Sequence, residues 1–153
     1  MGLDIYVVCY KNQEPATFPR RIVEEVLRYI GSKENDCWSP EFPDGGGCNV
    51  FIDVDPEIES FSVSHSPASP ELWDCLFEVL RQTGCFLCWP DGQAVVANPA
   101  VLGHLNAGLL DLFGPGIVVQ NGKDIFDAID RETDVSRASC RLPLPASSND
   151  GDR

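Results

Sequence analysis

The stretch SPELWDCLFEVLRQTGCFLCWPDGQAVVA, residues 69–97, decides the fold because a helix signal in it runs directly into a hairpin signal. Ser69 before Pro70 is typical of a helix N-cap and first helical residue, and apolar residues at helical spacing continue as far as Gly84. CFLCW and QAVVA are then short β-rich runs around a PDG turn, where Pro presets φ and Gly accepts a positive φ. We therefore predict one amphipathic helix followed by one β-hairpin.

Upstream of this stretch, the periodicity of the apolar residues predicts strands with one helix between them. Residues 3–10, LDIYVVCY, alternate as a strand, and residues 18–31, FPRRIVEEVLRYIG, form an amphipathic helical stripe. Residues 48–55, CNVFIDVD, and 60–65, SFSVSH, alternate as two more strands, which we expect to pair across PEIE. Residues 32–47 are rich in turn formers and are predicted to be a long loop.

Downstream of the hairpin, the chain returns to short helices and one last strand. Residues 99–113 follow an Asn-Pro cap and are predicted to hold one or two short helices. GIVVQ, residues 116–120, is predicted to be a strand, and KDIFDAIDR, residues 123–131, a short helix. Apolar periodicity ends at about residue 132, so residues 132–153 are predicted to be a disordered C-terminal tail.

The order of these elements favours the α+β class, with a mixed, mostly antiparallel sheet and helices packed on it. The 153 residues suffice for one domain with a core of ordinary size, which we place at residues 1–131. Strand order does not follow from such local signals.

The charge of the chain disfavours some classes of partner and favours another. Eleven basic residues against 24 acidic ones give a formal net charge of −13. Such a charge repels phosphate backbones and anionic lipid headgroups, so we expect neither nucleic-acid nor membrane binding. It attracts a basic protein and accelerates the encounter, although solubility is an alternative reason for the same charge.

The N-terminus and the cysteines indicate a reducing compartment. The chain begins MGLDI, without a basic segment followed by an apolar one, and no apolar window is long enough for a membrane span. Seven cysteines are an odd number scattered over strands, a loop and the tail, unlike a disulfide framework. We therefore expect a cytoplasmic protein in which Cys9, Cys75 and Cys85 serve as small core residues.

The sequence contains no recognisable catalytic, metal or cofactor motif. Cys85 and Cys88 have the spacing of a zinc or redox pair, but a second pair is missing and a strand turns the two side chains to opposite faces. His65 and His104 are the only histidines and belong to no signature, so we interpret them as a strand and a helix-surface residue. The glycine triplet 45–47 precedes a strand and lacks the lysine of a phosphate-binding loop. We predict no catalytic residue, no metal ligand and no cofactor.

Four alternating carboxylates, which we call the acidic strip, are the sharpest local feature: Asp53, Asp55, Glu57 and Glu59. In one extended segment all four side chains are aimed at the same side, opposite an apolar face that ends with Ile52 and Val54. Pro56, with no following glycine, breaks the EF-hand calcium pattern. The acidic strip is therefore either a solvated strand edge or a surface for the Lys and Arg side chains of a protein partner, with weak binding of a divalent cation as a lesser alternative.

Two aromatic residues in the preceding loop, Trp38 and Phe42, are candidate apolar anchors for the same partner. Burial of their rings against the core is the alternative. With the acidic strip they make up the predicted partner-binding residues.

Three stretches of the chain carry a family resemblance: MGLDIYV at the start, CFLCWPDGQAVVAN at 85–98, and IVVQNGKDIFDAI at 117–129. In size, acidity and organisation, residues 1–131 resemble small bacterial cytoplasmic proteins that are the immunity partners of secreted antibacterial toxins. The resemblance implies a protein that binds a toxin domain and blocks its active site, with acidic members suited to basic nuclease or nucleotide-using toxins. It transfers no functional residue to this chain.

The favoured function is therefore a non-enzymatic protein-binding module that neutralises a basic toxin by direct binding. One alternative is a small enzyme with a cysteine nucleophile, in which one thiol ionises below its usual pKa of about 8.5. Another alternative is a structural or assembly subunit, for which a stable homo-oligomer is the expected sign.

Overall fold

The computed structural model describes residues 4–27, 36–40, 42, 48–64, 69–90 and 92–141, the last ten of these by their helix only. The strands in this part of the chain are β1 (Ile5–Val8), β2 (Tyr10–Lys11), β3 (Glu14–Pro15), β4 (Phe18–Pro19), β5 (Cys37–Trp38), β6 (Asn49–Ile52), β7 (Glu57–Ile58), β8 (Ser60–Ser64), β9 (Phe86–Cys88), β10 (Val95–Val96) and β11 (Ile117–Val118). The helices are α1 (Arg20–Val26), α2 (Pro70–Thr83), α3 (Ala107–Phe113) and α4 (Gly122–Arg141), with a 3-10 helix at Pro99–His104.

Seven of the described strands form one sheet, in the order β11, β10, β9, β1, β8, β6, β5. Neighbouring strands in it are antiparallel except β10 and β11, which are parallel. The short ladders β2–β3 and β4–β7 are separate from this sheet. The predicted α+β class, with a mixed and mostly antiparallel sheet, is confirmed.

Helix α2 begins and ends where its sequence predicts. The Ser69 hydroxyl accepts a hydrogen bond from the Leu72 N–H at 3.4 Å, Pro70 is the first helical residue, and Gly84 closes the helix at φ 72°. The serine satisfies one of the N–H groups left over at a helix start, and glycine adopts a positive φ without a Cβ clash. The apolar side of α2 faces the core, and the helix also contacts α1 and α4.

Two apolar clusters lie on opposite sides of the sheet. On one side, Ile5 and Leu87 pack in the main core together with α2 residues such as Leu76. On the other side, Phe86 packs with Val101 of the 3-10 helix in a smaller cluster that α3 borders. The sheet therefore has a helix layer along one face and a smaller cover at the β9–β10 end of the other.

The hairpin that follows α2 is confirmed as well. Strands β9 and β10 pair antiparallel, with Leu87 opposite Val95. Cys85 belongs to the main core, whereas Cys88 belongs to the smaller cluster under the 3-10 helix. The two thiols thus lie on opposite sides of the sheet, as alternation along a strand predicts.

The strand before the acidic strip ends earlier than its pattern predicts. β6 stops at Ile52, the chain bends over residues 54–56, and Val54 is 46% exposed. The prediction that Val54 continues the buried face is therefore wrong. Proline removes an N–H that a continuing ladder requires, so Pro56 suits a bend better than a strand.

The last helix, α4, runs on to Arg141, well beyond the short helix predicted at 123–131. The segment after Arg131 contains neither Gly nor Pro before Pro143, so its composition does not interrupt a helix. The predicted tail beyond Arg141, like Leu3, His65 and the glycine triplet 45–47, lies outside the described residues. The domain boundary placed at residue 131 stays a prediction.

Candidate protein-binding site

A row of side chains crosses four strands on the side of the sheet away from α2. In the strand register Tyr6 lies opposite Ser62, Ser62 opposite Phe51, and Phe51 opposite Cys37. Directly opposed residues share one side of a sheet, so these four side chains form a continuous row. We call this region, with the flanking Ser60, the open sheet face.

Two large aromatic residues of the open sheet face are accessible to solvent. Tyr6 is 42% exposed and Phe51 is 45% exposed. A shallow concavity of about 620 Å³ is lined by both rings and by Ser60 and Ser62. Aromatic side chains bring a large contact area at low entropic cost, so an exposed surface that carries two of them is a candidate interaction surface.

Carboxylates border the aromatic pair. Asp36 and Asp53 line the same concavity as Tyr6 and Phe51. The Asp36 carbonyl accepts a hydrogen bond from the Ile52 N–H at 3.0 Å, which fixes the backbone of Asp36 beside the end of β6. An aromatic surface rimmed by negative charge is complementary to Arg and Lys side chains, which stack on rings and pair with carboxylates.

The acidic strip is divided by the bend in the chain. Asp53 follows β6, Asp55 lies in the bend, Glu57 belongs to β7, and Glu59 precedes β8; all four are exposed. The prediction that one extended segment aims them all at the same side is therefore wrong. Of the four, Asp53 lines the concavity of the open sheet face.

A buried arginine at the start of α1, Arg20, connects helix α1 to the bend at residues 54–56 by hydrogen bonds. Its Nη1 donates to the Asp53 carbonyl at 2.8 Å, and its backbone N–H donates to the Pro56 carbonyl at 2.9 Å. Its Nε pairs with Glu24 Oε2 at 3.0 Å. Sequence reasoning missed this residue, although Arg20 shares the helical stripe of Val23 and a buried position was readable from that spacing.

The two predicted aromatic anchors are not exposed. Trp38 and Phe42 are both buried in the main core, and Trp38 Nε1 donates to the Leu27 carbonyl at 3.3 Å. The prediction that they project toward a partner is wrong, and the alternative of burial against the core holds. The exposed aromatic residues are instead Tyr6 and Phe51. The sequence indicated them because each is an aromatic residue at an outward-facing position of an alternating strand.

His104 lies on the 3-10 helix, half-buried, and contacts the turn between β2 and β3. Its Nδ1 accepts a hydrogen bond from the Asn12 N–H at 3.1 Å, and its carbonyl accepts one from the Gln13 N–H at 2.8 Å. Asn12 and Gln13 both have positive φ and form the tight turn between β2 and β3. The histidine thus supports a hairpin turn.

The described cysteines differ in acidity. A hydrogen bond with the Cys85 thiol lowers the pKa of Cys9 to about 7, while burial raises the pKa of Cys48 and of Cys88 to about 11. The Cys9 side chain is only 7% exposed and belongs to the main core. Its acidity suits a reactive thiol, but its burial restricts access to small reagents.

Within the described ranges, no three His, Cys, Asp or Glu side chains are grouped as metal ligands. Among the described helices, including the 20-residue α4, none combines the length and the apolar character needed to cross a bilayer. Comparison with known proteins gives no relative: no family model, no curated protein and no solved structure matches this chain.

Proposed function

We propose that this chain is a non-enzymatic, cytoplasmic protein-binding module, an immunity protein that neutralises a basic bacterial toxin by direct binding through the open sheet face. The observation that carries the proposal is the exposed pair Tyr6 and Phe51 bordered by Asp36 and Asp53. Interfaces draw most of their energy from a few aromatic anchors surrounded by a polar rim.

The chemistry of the surface selects the kind of partner. An arginine placed over Tyr6 or Phe51 gains a cation–π contact, and the same guanidinium reaches a neighbouring carboxylate. The net charge of −13 adds a long-range attraction that raises the association rate of a basic partner. Both features favour a basic protein over a nucleic acid or an anionic lipid.

The test uses the protein encoded beside this chain's gene, since an immunity gene is expected next to its toxin. That neighbour is expressed from an inducible promoter in cells with and without this chain, and growth is recorded. The proposal predicts that the neighbour arrests growth alone and that co-expression restores it. A neighbour that is harmless alone, or whose toxicity this chain leaves unchanged, contradicts the proposal.

Matched variants connect rescue to the open sheet face. Tyr6→Thr with Phe51→Thr removes both rings and introduces β-branched residues that are suited to strands. Leu112→Gln serves as the control because Leu112 is a more exposed apolar residue and lies on α3, away from the concavity. Rescue should fail with the double variant and persist with the control.

A further inference from the structure

Cys9 directly follows β1 and Cys85 directly precedes β9, and these two strands are neighbours in the sheet. In the β1–β9 register, Val7 lies opposite Leu87 and Val8 opposite Phe86. Continuing this register by one residue beyond the end of the ladder places Cys9 opposite Cys85. Both residues are present as free thiols, and the Cys9 thiol donates to the Thr17 carbonyl at 4.0 Å. An interaction with the Cys85 side chain is the largest cause of the shift in the pKa of Cys9.

The backbone around this pair suits a covalent link. The Cys9 N–H donates to the Glu59 carbonyl at 3.0 Å, on the β8 side of β1. In the continued register, Cys9 and Cys85 would therefore be a non-hydrogen-bonded pair, and in an ideal antiparallel ladder the Cα atoms of such a pair lie about 4.5 Å apart. Disulfides form across Cα separations of about 4.4 to 6.8 Å, so the strands need little movement to be joined.

The two thiols are chemically unequal. The hydrogen bond with Cys85, with a smaller contribution from the charge of Lys11, lowers the pKa of Cys9 to about 7, although burial opposes this shift. The hydrogen bond to Cys9, together with burial, raises the pKa of Cys85 well above its ordinary value. Thiolates attack peroxides and thiols do not, so Cys9 is the attacking sulfur and Cys85 the resolving one.

We infer that Cys9 and Cys85 are a peroxide-sensitive dithiol that closes to a cross-strand disulfide. In the first step the Cys9 thiolate attacks one oxygen of hydrogen peroxide, the O–O bond breaks, and Cys9 becomes a sulfenic acid as hydroxide leaves. In the second step the Cys85 sulfur attacks the Cys9 sulfur, the S–O bond breaks, and the Cys85 proton leaves with the hydroxyl as water. The pair loses two electrons, and the peroxide oxygens gain them.

Cys88 provides an internal control within the same protein. It lies on the adjacent part of β9 and is 7% exposed, as Cys9 is, but it faces the other side of the sheet. Burial raises the pKa of Cys88 to about 11. Accessibility alone therefore predicts equal reactivity of Cys9 and Cys88, whereas the dithiol predicts oxidation at Cys9.

The full-length protein is treated with a small excess of hydrogen peroxide, alkylated, and mapped by mass spectrometry without reduction. We expect a peptide containing Cys9 joined to Cys85, a mass lower by two hydrogens, and reversal by dithiothreitol. Cys88→Ser should form the same link. Cys85→Ser should stop at a Cys9 sulfenic acid that dimedone traps, because the resolving sulfur is gone.

Wild-type protein alone is sufficient to overturn the inference, whatever the folding of the variants. If peroxide produces no link between Cys9 and Cys85, or joins one of them mainly to another cysteine, the dithiol is wrong. Equal alkylation of Cys9 and Cys88 by limiting iodoacetamide at neutral pH would also overturn the assignment of Cys9 as the attacking sulfur.

Discussion

Arg20 donates a hydrogen bond from Nη1 to the carbonyl of Asp53 at 2.8 Å, from a side chain that is almost completely buried. The contact joins the start of α1 to the end of β6, although the two residues are far apart in the sequence. It holds the bend that places Asp53 beside the open sheet face. A buried guanidinium requires partners for its donors, so this bend and the helix layer stabilise each other.

Replacing Arg20 with Ala should lower the free energy of unfolding by about 2 to 3 kcal/mol, because charged hydrogen bonds and buried packing are lost together. Arg21→Ala is the matched control. Arg21 also pairs with a glutamate four residues on, but both side chains are mostly exposed. It should change stability by no more than about 0.5 kcal/mol. Urea unfolding followed by circular dichroism measures both, and equal effects would contradict a structural role for Arg20.

The start of α4 packs closely against α2, and a methyl group at Gly122 should disrupt it. A Cβ there would lie 2.5 Å from the backbone nitrogen of Asp74 and from the carbonyl carbon of Trp73. Because backbone atoms cannot move aside easily, Gly122→Ala should destabilise the protein by about 1 to 3 kcal/mol. Gly103→Ala, with no atom near the added Cβ, should leave the melting temperature unchanged or slightly higher. A Gly122→Ala protein as stable as wild type would refute this packing.

The free energy of unfolding should fall between pH 9 and pH 11, since burial raises the pKa of the Cys48 and Cys88 thiols from 9.0 to about 11. In that window the unfolded chain has released thiol protons that the folded protein still holds, so rising pH favours unfolding. The part of the loss that Cys48 and Cys88 cause should level off above their folded pKa of about 11. Cys88→Ala should show a shallower decline than wild type in denaturant titrations at several pH values. Parallel pH profiles would show that Cys88 does not contribute.

Removing the charges of the acidic strip should slow partner association while leaving the fold intact. Asp53→Asn, Asp55→Asn, Glu57→Gln and Glu59→Gln together remove four exposed negative charges, each worth at most about 0.5 kcal/mol of stability. The association rate with the neighbouring gene's product should fall and lose part of its salt dependence.

The control for that experiment changes the same number of charges elsewhere. Four other exposed carboxylates can be neutralised in the same way: Glu14, Asp74, Asp111 and Asp130. Because net charge changes equally in both proteins, a slower rate only in the acidic-strip variant would show that position matters. Equal association rates in the two variants would show that the acidic strip is a solvated strand edge and not a binding surface.

The parts of the fold that could be predicted from sequence are those decided by neighbours in the chain. Helix α2 has its cap at Ser69 and its stop at Gly84, and the β6–β8 pair follows from alternation on either side of a short connection. The central position of β1 between β8 and β9 depends on contacts distant in sequence. Periodicity within one strand does not contain that information.

The candidate site was predicted less well because exposure depends on what covers a side chain. Trp38 and Phe51 are both aromatic residues near turn-rich segments, yet Trp38 is buried and Phe51 is exposed. The difference arises from the sheet, since Trp38 faces the helix layer and Phe51 faces the open side. Composition indicated an acidic binding surface. The sheet register was needed to show that Asp53 lies beside the exposed rings of Tyr6 and Phe51.

The central claim, that the open sheet face binds a basic partner, is tested most directly by one equilibrium measurement. The dissociation constant of the neighbouring gene's product is measured by titration calorimetry against wild type, Tyr6→Thr with Phe51→Thr, and Leu112→Gln, each checked for folding by circular dichroism. Since aromatic anchors cost about 2 kcal/mol or more when truncated, the double variant should bind at least about 30-fold more weakly. The Leu112→Gln protein should bind as wild type does. A folded double variant with an unchanged dissociation constant would contradict the claim.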